Sequence, residues 1–422
     1  MTPRLSPGAP PSGSAGASGW SHGAHAADYE ARVDMARLRA GRWQRAEQAL
    51  AAAGLDAVLV WKDENLRYLT SLRPQVIAGK SGVLNGALFP RGGGPVLFIS
   101  GGDRDRAEAT MPWIAEFHTI PILEEPGLVR HVASEIIPDV LARHGLGAGM
   151  VGLDLASKLL MDALTDSCPH VGWVDGDAAM QAARRIKTPE ELALIEEATA
   201  IAEAVTATAA AHVQAGVREC DVAGEALRTL YRLGGECPHV TTPFVASGER
   251  MAPPTRLATD KLIREGDLVF IDIGAMWNGY FGDIGRTVVC GSPSHDQRRI
   301  YRAVWDALAA GIAAMRPGAT NVDVAAAVRS RAEAHGLAQH FLRLFIGHGI
   351  GCGSNEPPYI GEAFPGAASV TLEPGMVFAV EPLIWIPGIP GGGGVRLEDM
   401  VAVTDNGARR ISRSAYCEAL LA

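Results

Sequence analysis

The run Leu268-Val269-Phe270-Ile271-Asp272-Ile273-Gly274-Ala275-Met276-Trp277-Asn278-Gly279-Tyr280-Phe281-Gly282-Asp283 sets Asn-Gly between two apolar, strand-like segments. That is the strongest short-range signal for a two-residue hairpin turn. Pairing about Asn278-Gly279 puts Gly274 opposite Asp283 and Asp272 opposite Gly285. The two aspartates then lie on one sheet face as diagonal neighbours, about 6–8 Å apart at Cβ. Carboxylates that close, on strands this apolar, repel each other and are costly to desolvate. A cation between them removes both costs. The competing reading is that the pair caps the hairpin or binds an arginine such as Arg286.

Three more polar residues stand in similar surroundings further along the chain. His348 lies in Gly347-His348-Gly349-Ile350-Gly351, where glycine permits close backbone approach. Glu381 follows the apolar strand Met376-Val377-Phe378-Ala379-Val380. Glu398 lies in Val395-Arg396-Leu397-Glu398-Asp399-Met400, with Arg396 as its alternative partner. Unpaired glutamate is rarely buried, so these positions point to a site. Four carboxylates supply four negative charges, which match two divalent cations with a preference for oxygen. Two such ions, about 3.5–4 Å apart, activate water and polarise a substrate oxygen.

The chain has 422 residues, 47% of them hydrophobic, enough for a sizeable core in more than one domain. Its net charge of −9 and lack of a basic run exclude nucleic acid as the expected partner. Six cysteines (Cys168, Cys220, Cys237, Cys290, Cys352, Cys417) without CxxC spacing read as reduced thiols of a cytoplasmic protein. No apolar stretch reaches the roughly 18 residues of a membrane helix. Residues 1–28 are rich in Pro, Gly, Ser and Ala and lack an apolar targeting core, so a disordered tail is expected.

Residues 29–185 read as an α/β domain with a mixed sheet. A helix is expected over 30–53, strands over 55–60, 86–90, 95–99 and 150–154, and helical pattern over 128–144. A boundary follows at Arg185-Ile186-Lys187-Thr188-Pro189-Glu190-Glu191, where Thr188 is a candidate N-cap with Glu191 at the capping-box position. Residues 186–422 read as an α+β domain with a largely antiparallel sheet. Its helices are expected near 192–213, 219–233, 296–316 and 321–336. Its strands are expected over 241–247, 267–274, 280–289, 376–386 and 395–404.

The order Asp272, Asp283, His348, Glu381, Glu398 resembles the superfamily of methionine aminopeptidase, aminopeptidase P, prolidase and creatinase, with its pita-bread fold. The segments that carry the resemblance are Gly266–Gly274, Gly282–Thr287, Gly347–Gly351, Leu372–Val377 and Val395–Asp399. In the first half, Gly54–Val58, Asn65–Thr70 and Arg185–Lys187 resemble a creatinase-type N-terminal domain. The resemblance implies a homodimer or a higher oligomer, and two divalent metal ions, manganese first, with iron, cobalt or zinc as alternatives. It implies the ligands Asp272, Asp283, His348, Glu381 and Glu398, with Asp283 and Glu398 bridging.

Two departures stand out. Proline peptidases of this fold carry a histidine seven residues after the ligand histidine, where this chain has Asn355. They carry another after a Ser-Gly-x-Asn segment, where this chain has Thr255. Neutral histidine shuttles protons near pH 7 and donates to a developing oxyanion, whereas asparagine only hydrogen-bonds. His239 is the candidate substitute, so His239 and Asn355 are the candidate catalytic residues. Arg250 is a candidate grip for a substrate carboxylate. Thr255, Trp277 and Tyr280 are candidates for lining the substrate pocket, with Phe281 and Trp385 nearby, and an aromatic wall also suits a cationic group.

The expected function is metal-dependent hydrolysis of a C–N bond in an Xaa-Pro-type dipeptide or a small amide-like metabolite. One alternative is a lyase acting on a small sulfonium or betaine. The dimethylsulfoniopropionate lyase of this superfamily shares Gly234-Gly235-Glu236 and an arginine near Arg250, but has an additional aspartate where this chain has Gly274. The other alternative is a non-catalytic binding module.

Overall fold

The computed structural model describes residues 27–73, 85–240, 243–251, 257–342, 345–361 and 369–422. The first half is built on a six-stranded sheet. Its order in space is Glu116–Ile120, Val96–Ser100, Gly86–Pro90, Ala57–Val60, Met150–Leu153, Gly172–Asp175. Ala57–Val60 and Val96–Ser100 both run antiparallel to Gly86–Pro90, and the remaining pairs are parallel, so the sheet is mixed. The expected 128–144 helix is interrupted. A π-helical turn, Val132–Ile136, separates Pro126–His131 from Ile137–Arg143. Pro138 explains it: proline lacks the N–H for the regular ladder and its ring displaces the preceding carbonyl.

Most of the expected tail lies outside the described residues, but its end is ordered. Ala27 and Asp28 are buried, and Arg67 Nε donates to Asp28 Oδ1 at 3.0 Å. Composition could not reveal this, because the anchors are partners distant in sequence: Arg67 for the Asp28 carboxylate, Ser71 O for Asp28 N and Asn278 Oδ1 for Tyr29 N.

The boundary motif folds as its residues dictate. Glu191 N donates to Thr188 Oγ1 (3.3 Å) and Thr188 N donates to Glu191 Oε2 (2.8 Å), opening the helix Pro189–Ala211. That helix packs so closely on the hairpin that a Cβ on Gly282 would come within 2.4 Å of Thr199 N. The hairpin turns at Asn278 (φ 46°) and Gly279 (φ 81°), the pair of left-handed residues a type I′ turn needs.

The second half holds antiparallel sheets. One runs Gly285–Val289, Leu268–Asp272, Phe244–Ser247, and another runs Glu356–Ile360, Gly347–Gly349, Val377–Val380, Asp399–Thr404, Gly407–Arg410. Three expected long strands are each broken in two. Tyr280–Gly282 gives way to Gly285–Val289 across Asp283. Val377–Val380 gives way to Leu383–Trp385 across Glu381. Gly394–Arg396 gives way to Asp399–Thr404 across Glu398. Each segment pairs with a different neighbour before and after its break, so the chain changes sheets at an acidic residue.

The two halves meet at a buried ion pair between Arg184 and Glu356, which Lys187, just past the boundary, reinforces. Arg184 Nε donates to Glu356 Oε1 at 2.8 Å, and Lys187 Nζ lies 3.4 Å from Glu356 Oε2. Among the described residues no helix is long and apolar enough to cross a membrane.

Candidate metal centre

Each of the five donor residues is placed by a local feature of the chain. Asp272 ends the strand Leu268–Asp272, and its partner across the sheet is Gly285. Gly285 leaves room: a Cβ there would lie 2.8 Å from Glu398 Oε2. Asp283, Glu381 and Glu398 sit at the three strand breaks, and Pro382, which lacks an N–H, helps end the ladder after Glu381. His348 lies in the short strand Gly347–Gly349, where Ala379 O would be 2.4 Å from any Cβ on Gly347.

All five side chains converge in the interior, and none of the five residues is more than 3% exposed. Asp283, His348 and Glu398 place donor atoms within 4.8 Å of one another, as do Asp272, Glu381 and Glu398. His348 Nε2 is 3.3 Å from Glu381 Oε1 and 4.0 Å from Asp283 Oδ2. Its Nδ1 lies 2.9 Å from Gly349 O. A carbonyl only accepts, so Nδ1 carries a proton, and in the neutral ring that leaves Nε2 as the atom free to bind a cation.

Burial, reinforced by Asp272 and Glu381, pushes Asp283 well above the usual carboxylate range. Burial, with Asp283, Asp272 and Glu381, does the same to Glu398. For Glu381 the upward push of burial is outweighed by Arg396 and His348, which hold it below that range. Asp272 Oδ1, Asp283 Oδ1 and Glu398 Oε2 are buried with no protein hydrogen-bond partner. Such orphaned acceptors are costly unless something cationic meets them. The donor set of four carboxylates and one imidazole lone pair fits divalent metal ions.

Family models give this geometry a lineage. The model for metallopeptidase family M24 matches residues 193–405, and that for the creatinase/prolidase N-terminal domain matches residues 42–186. The chain belongs to metallopeptidase family M24. This M24 chain is 39% identical over 361 residues to the uncharacterized peptidase YqhT of Bacillus subtilis, covering 86% of this chain and 94% of that one. It is 38% identical over 238 residues to an Xaa-Pro dipeptidase of Pyrococcus furiosus, covering 56% of this chain and 66% of that one. Among solved structures, an Xaa-Pro dipeptidase from Bacillus anthracis matches with a TM-score of 0.75 at 26% identity, over 90% of this chain and 98% of that one. The prolidase from Pyrococcus furiosus matches with a TM-score of 0.71 at 28% identity, over 87% of this chain and 99% of that one.

Arg396 enters the cluster by contacts that the sequence does not place. It was offered as a partner for Glu398, yet its Nη1 binds Glu381 Oε2 (2.9 Å) and Asp272 Oδ2 (3.3 Å). Alternate residues of a strand share a face. Arg396 and Glu398 stand two apart, so the spacing signalled a common destination without naming the partner. Arg286 binds Asp399 Oδ1 at 2.9 Å rather than the hairpin aspartates.

His239 does reach the cluster: its Nε2 is 3.5 Å from Asp272 Oδ1 and its Nδ1 is 3.7 Å from Asp283 Oδ1. Burial pushes this imidazole below its ordinary range despite Asp272 and Glu381. Asn355 is exposed, with its Oδ1 accepting from Ser354 Oγ at 3.2 Å. Thr255 lies outside the described residues.

Three other expectations do not match their placement. The Tyr280 hydroxyl is fully buried between the halves, accepting from Arg42 Nε (2.9 Å) and donating to Glu191 Oε1 (2.7 Å), so it lines no pocket. Trp277, its cross-strand partner, packs toward Gly234 beside the turn, not at the aspartate end of the hairpin. Arg250 turns into its own loop, where Nη1 donates to Thr259 Oγ1 (2.7 Å) and Nε lies 3.8 Å from Glu219 Oε2. Glu219, which sequence reasoning passed over, is buried and also accepts from Ser247 N (2.8 Å), fixing that loop.

The features shared with the sulfonium lyase have structural occupations too. Glu236 binds Arg67 at 2.8 Å and Arg73 at 3.4 Å. A side chain at Gly274 would strike His239, whose Nδ1 lies 2.8 Å from the Cβ position.

Proposed function

We propose that this chain is a two-metal hydrolase that cleaves dipeptides, those with proline in second place among them. The observation that supports it most is the convergence of Asp283, Glu398, Asp272, Glu381 and the Nε2 lone pair of His348 around buried, unpartnered carboxylate oxygens. Those five residues would hold the ions: Asp283, His348 and Glu398 form one donor cluster, Asp272, Glu381 and Glu398 another, and Glu398 belongs to both. Bound there, divalent ions supply polarisation of the peptide carbonyl and water acidic enough to attack at neutral pH. Arg396 offsets part of the negative charge and fixes the orientation of Asp272 and Glu381. Asn355 is exposed and pairs with Ser354, and an amide takes no proton, so it supplies no proton shuttle for the cluster.

The names borne by the relatives, Xaa-Pro dipeptidase and prolidase, supply the substrate class. Hard oxygen donors favour manganese. Six free cysteines favour a reducing cytoplasm. The likeness to M24 enzymes favours a homodimer. A binding module is the poorer reading, because a purely structural role leaves the unpartnered carboxylate oxygens uncompensated.

The test is a screen of manganese-reconstituted protein against Xaa-Pro dipeptides, other dipeptides, small N-acyl compounds and dimethylsulfoniopropionate. Release of free amino acid from dipeptides is expected. Release of dimethyl sulfide, or turnover of N-acyl compounds alone, overturns the dipeptidase assignment.

A further inference from the structure

His348 and His239 enter the same carboxylate cluster, and the backbone treats them in opposite ways. The Nδ1 of His348 faces a carbonyl, Gly349 O, at 2.9 Å. The Nδ1 of His239 faces an amide, accepting from Gly274 N at 2.6 Å. An amide only donates, so Nδ1 of His239 is unprotonated and the ring proton resides on Nε2. The residue is held twice by the same glycine, because His239 N donates to Gly274 O at 3.3 Å. Phe244 closes the ring edge-on, with centroids 5.6 Å apart at 81°. The absence of a side chain at position 274 is part of the device. A Cβ there would lie 2.7 Å from Gly282 O, 2.8 Å from Nδ1 and 2.9 Å from the His239 Cβ, so a larger residue displaces the hairpin backbone or the ring.

Nε2 of His239 lies 3.5 Å from Asp272 Oδ1, a buried oxygen left without a hydrogen-bond partner, so the ring proton is poised beside that oxygen without being bonded to it. Proximity alone groups His239 with Asp272 and Asp283 as a possible ligand set. Tautomer chemistry excludes that for Nε2, which carries a hydrogen instead of a lone pair. It equally excludes His239 as a proton acceptor through that nitrogen.

We propose that His239 is a positioning residue, a fixed Nε2–H donor that orients Asp272 for metal binding, while His348 in the opposite tautomer is the ligand. This rests on the two-metal reading above and goes beyond it by dividing the two histidines between donor and ligand. Outer hydrogen bonds of this kind typically change metal affinity by about 10- to 100-fold.

The test uses the full chain with nitrogen-15-labelled histidine, metal-free and loaded with diamagnetic zinc. Long-range proton–nitrogen correlation spectra report which ring nitrogen carries the proton, and spectra of His239→Gln and His348→Gln assign the signals. The expected result is a proton on Nε2 of His239 in both states, and a proton on Nδ1 of His348 with its Nε2 signal shifting on zinc binding. A proton on Nδ1 of His239, or a zinc-induced ligand shift at its Nε2, overturns the proposal. Zinc titration gives a second readout. His239→Ala weakens binding on the order of 10-fold or more, whereas His239→Gln, which keeps a donor near the Nε2 position, stays within about 3-fold of wild type. An unchanged affinity in His239→Ala, or equal damage from both substitutions, also overturns it. None of these readouts requires a dipeptide to be cleaved, so failure here is distinct from failure of the substrate assignment.

Discussion

His348 and His239 show how far a residue can be read from its neighbours in sequence. Glycines around His348 and its place between two pairs of acids made it a candidate ligand. Its tautomer became legible only when Gly349 O was seen at Nδ1. Tyr280 failed for a different reason. An aromatic residue three positions from an acid suggests a pocket wall, but strand alternation and the packed helix Pro189–Ala211 turn it to Arg42 and Glu191 instead. Glu356 was invisible as an anchor, because its partners Arg184 and Lys187 lie about 170 residues earlier in the chain. Burial alone would raise its carboxyl, yet Arg184 and Lys187 outweigh burial and hold it below the ordinary range. A carboxyl lowered in the folded state stabilises the protein above its unfolded value, about 4.3. That stability is lost as pH falls through the folded value. Glu356→Gln therefore costs about 3–5 kcal/mol at pH 7, because two buried cations lose their counter-charge. Urea denaturation from pH 7 down to pH 3 checks this. The gap between variant and wild type narrows toward pH 3, and a gap independent of pH would refute the ion-pair account.

At the scale of the element, the four long helices of the second half and four of the six N-terminal strands are legible from local signals. Strands Glu116–Ile120 and Gly172–Asp175 and the short N-terminal helices Asp63–Thr70, Gly101–Thr110, Lys158–Ser167 and Asp177–Arg185 are not. The capping box at Thr188 and the Asn-Gly turn each act within four residues. The catalytic half was read less well. Runs such as 376–386 look like one strand, since apolar content does not record a change of sheet. The break falls where a carboxylate must leave the strand direction and enter the interior, at Asp283, Glu381 and Glu398. Glycine marks one of these places: Gly285 provides the space that Glu398 fills. Gly285→Ala is expected to leave far-UV circular dichroism near that of wild type while lowering manganese affinity on the order of 10-fold or more, in line with other changes around metal ligands. Equal manganese affinity in the two proteins would show that Glu398 tolerates the intruding methyl and that its placement is not sterically set.

For the whole molecule, two sheets-and-helices units are joined by the buried Arg184–Glu356 ion pair and by the Arg42–Tyr280–Glu191 chain. Five donors drawn from segments 126 residues apart at their extremes (398 − 272) meet in one interior cluster. Sequence spacing suggested the set, family resemblance ordered it, and only the assembled fold exposes the unpartnered oxygens that a cation would satisfy. Titration calorimetry of chelator-stripped protein with manganese tests that claim most directly. Two ions per chain are expected to bind, and the double variant Asp283→Asn, Glu398→Gln is expected to bind neither tightly. Absence of binding to the wild type, or unchanged binding to the double variant, would contradict the account.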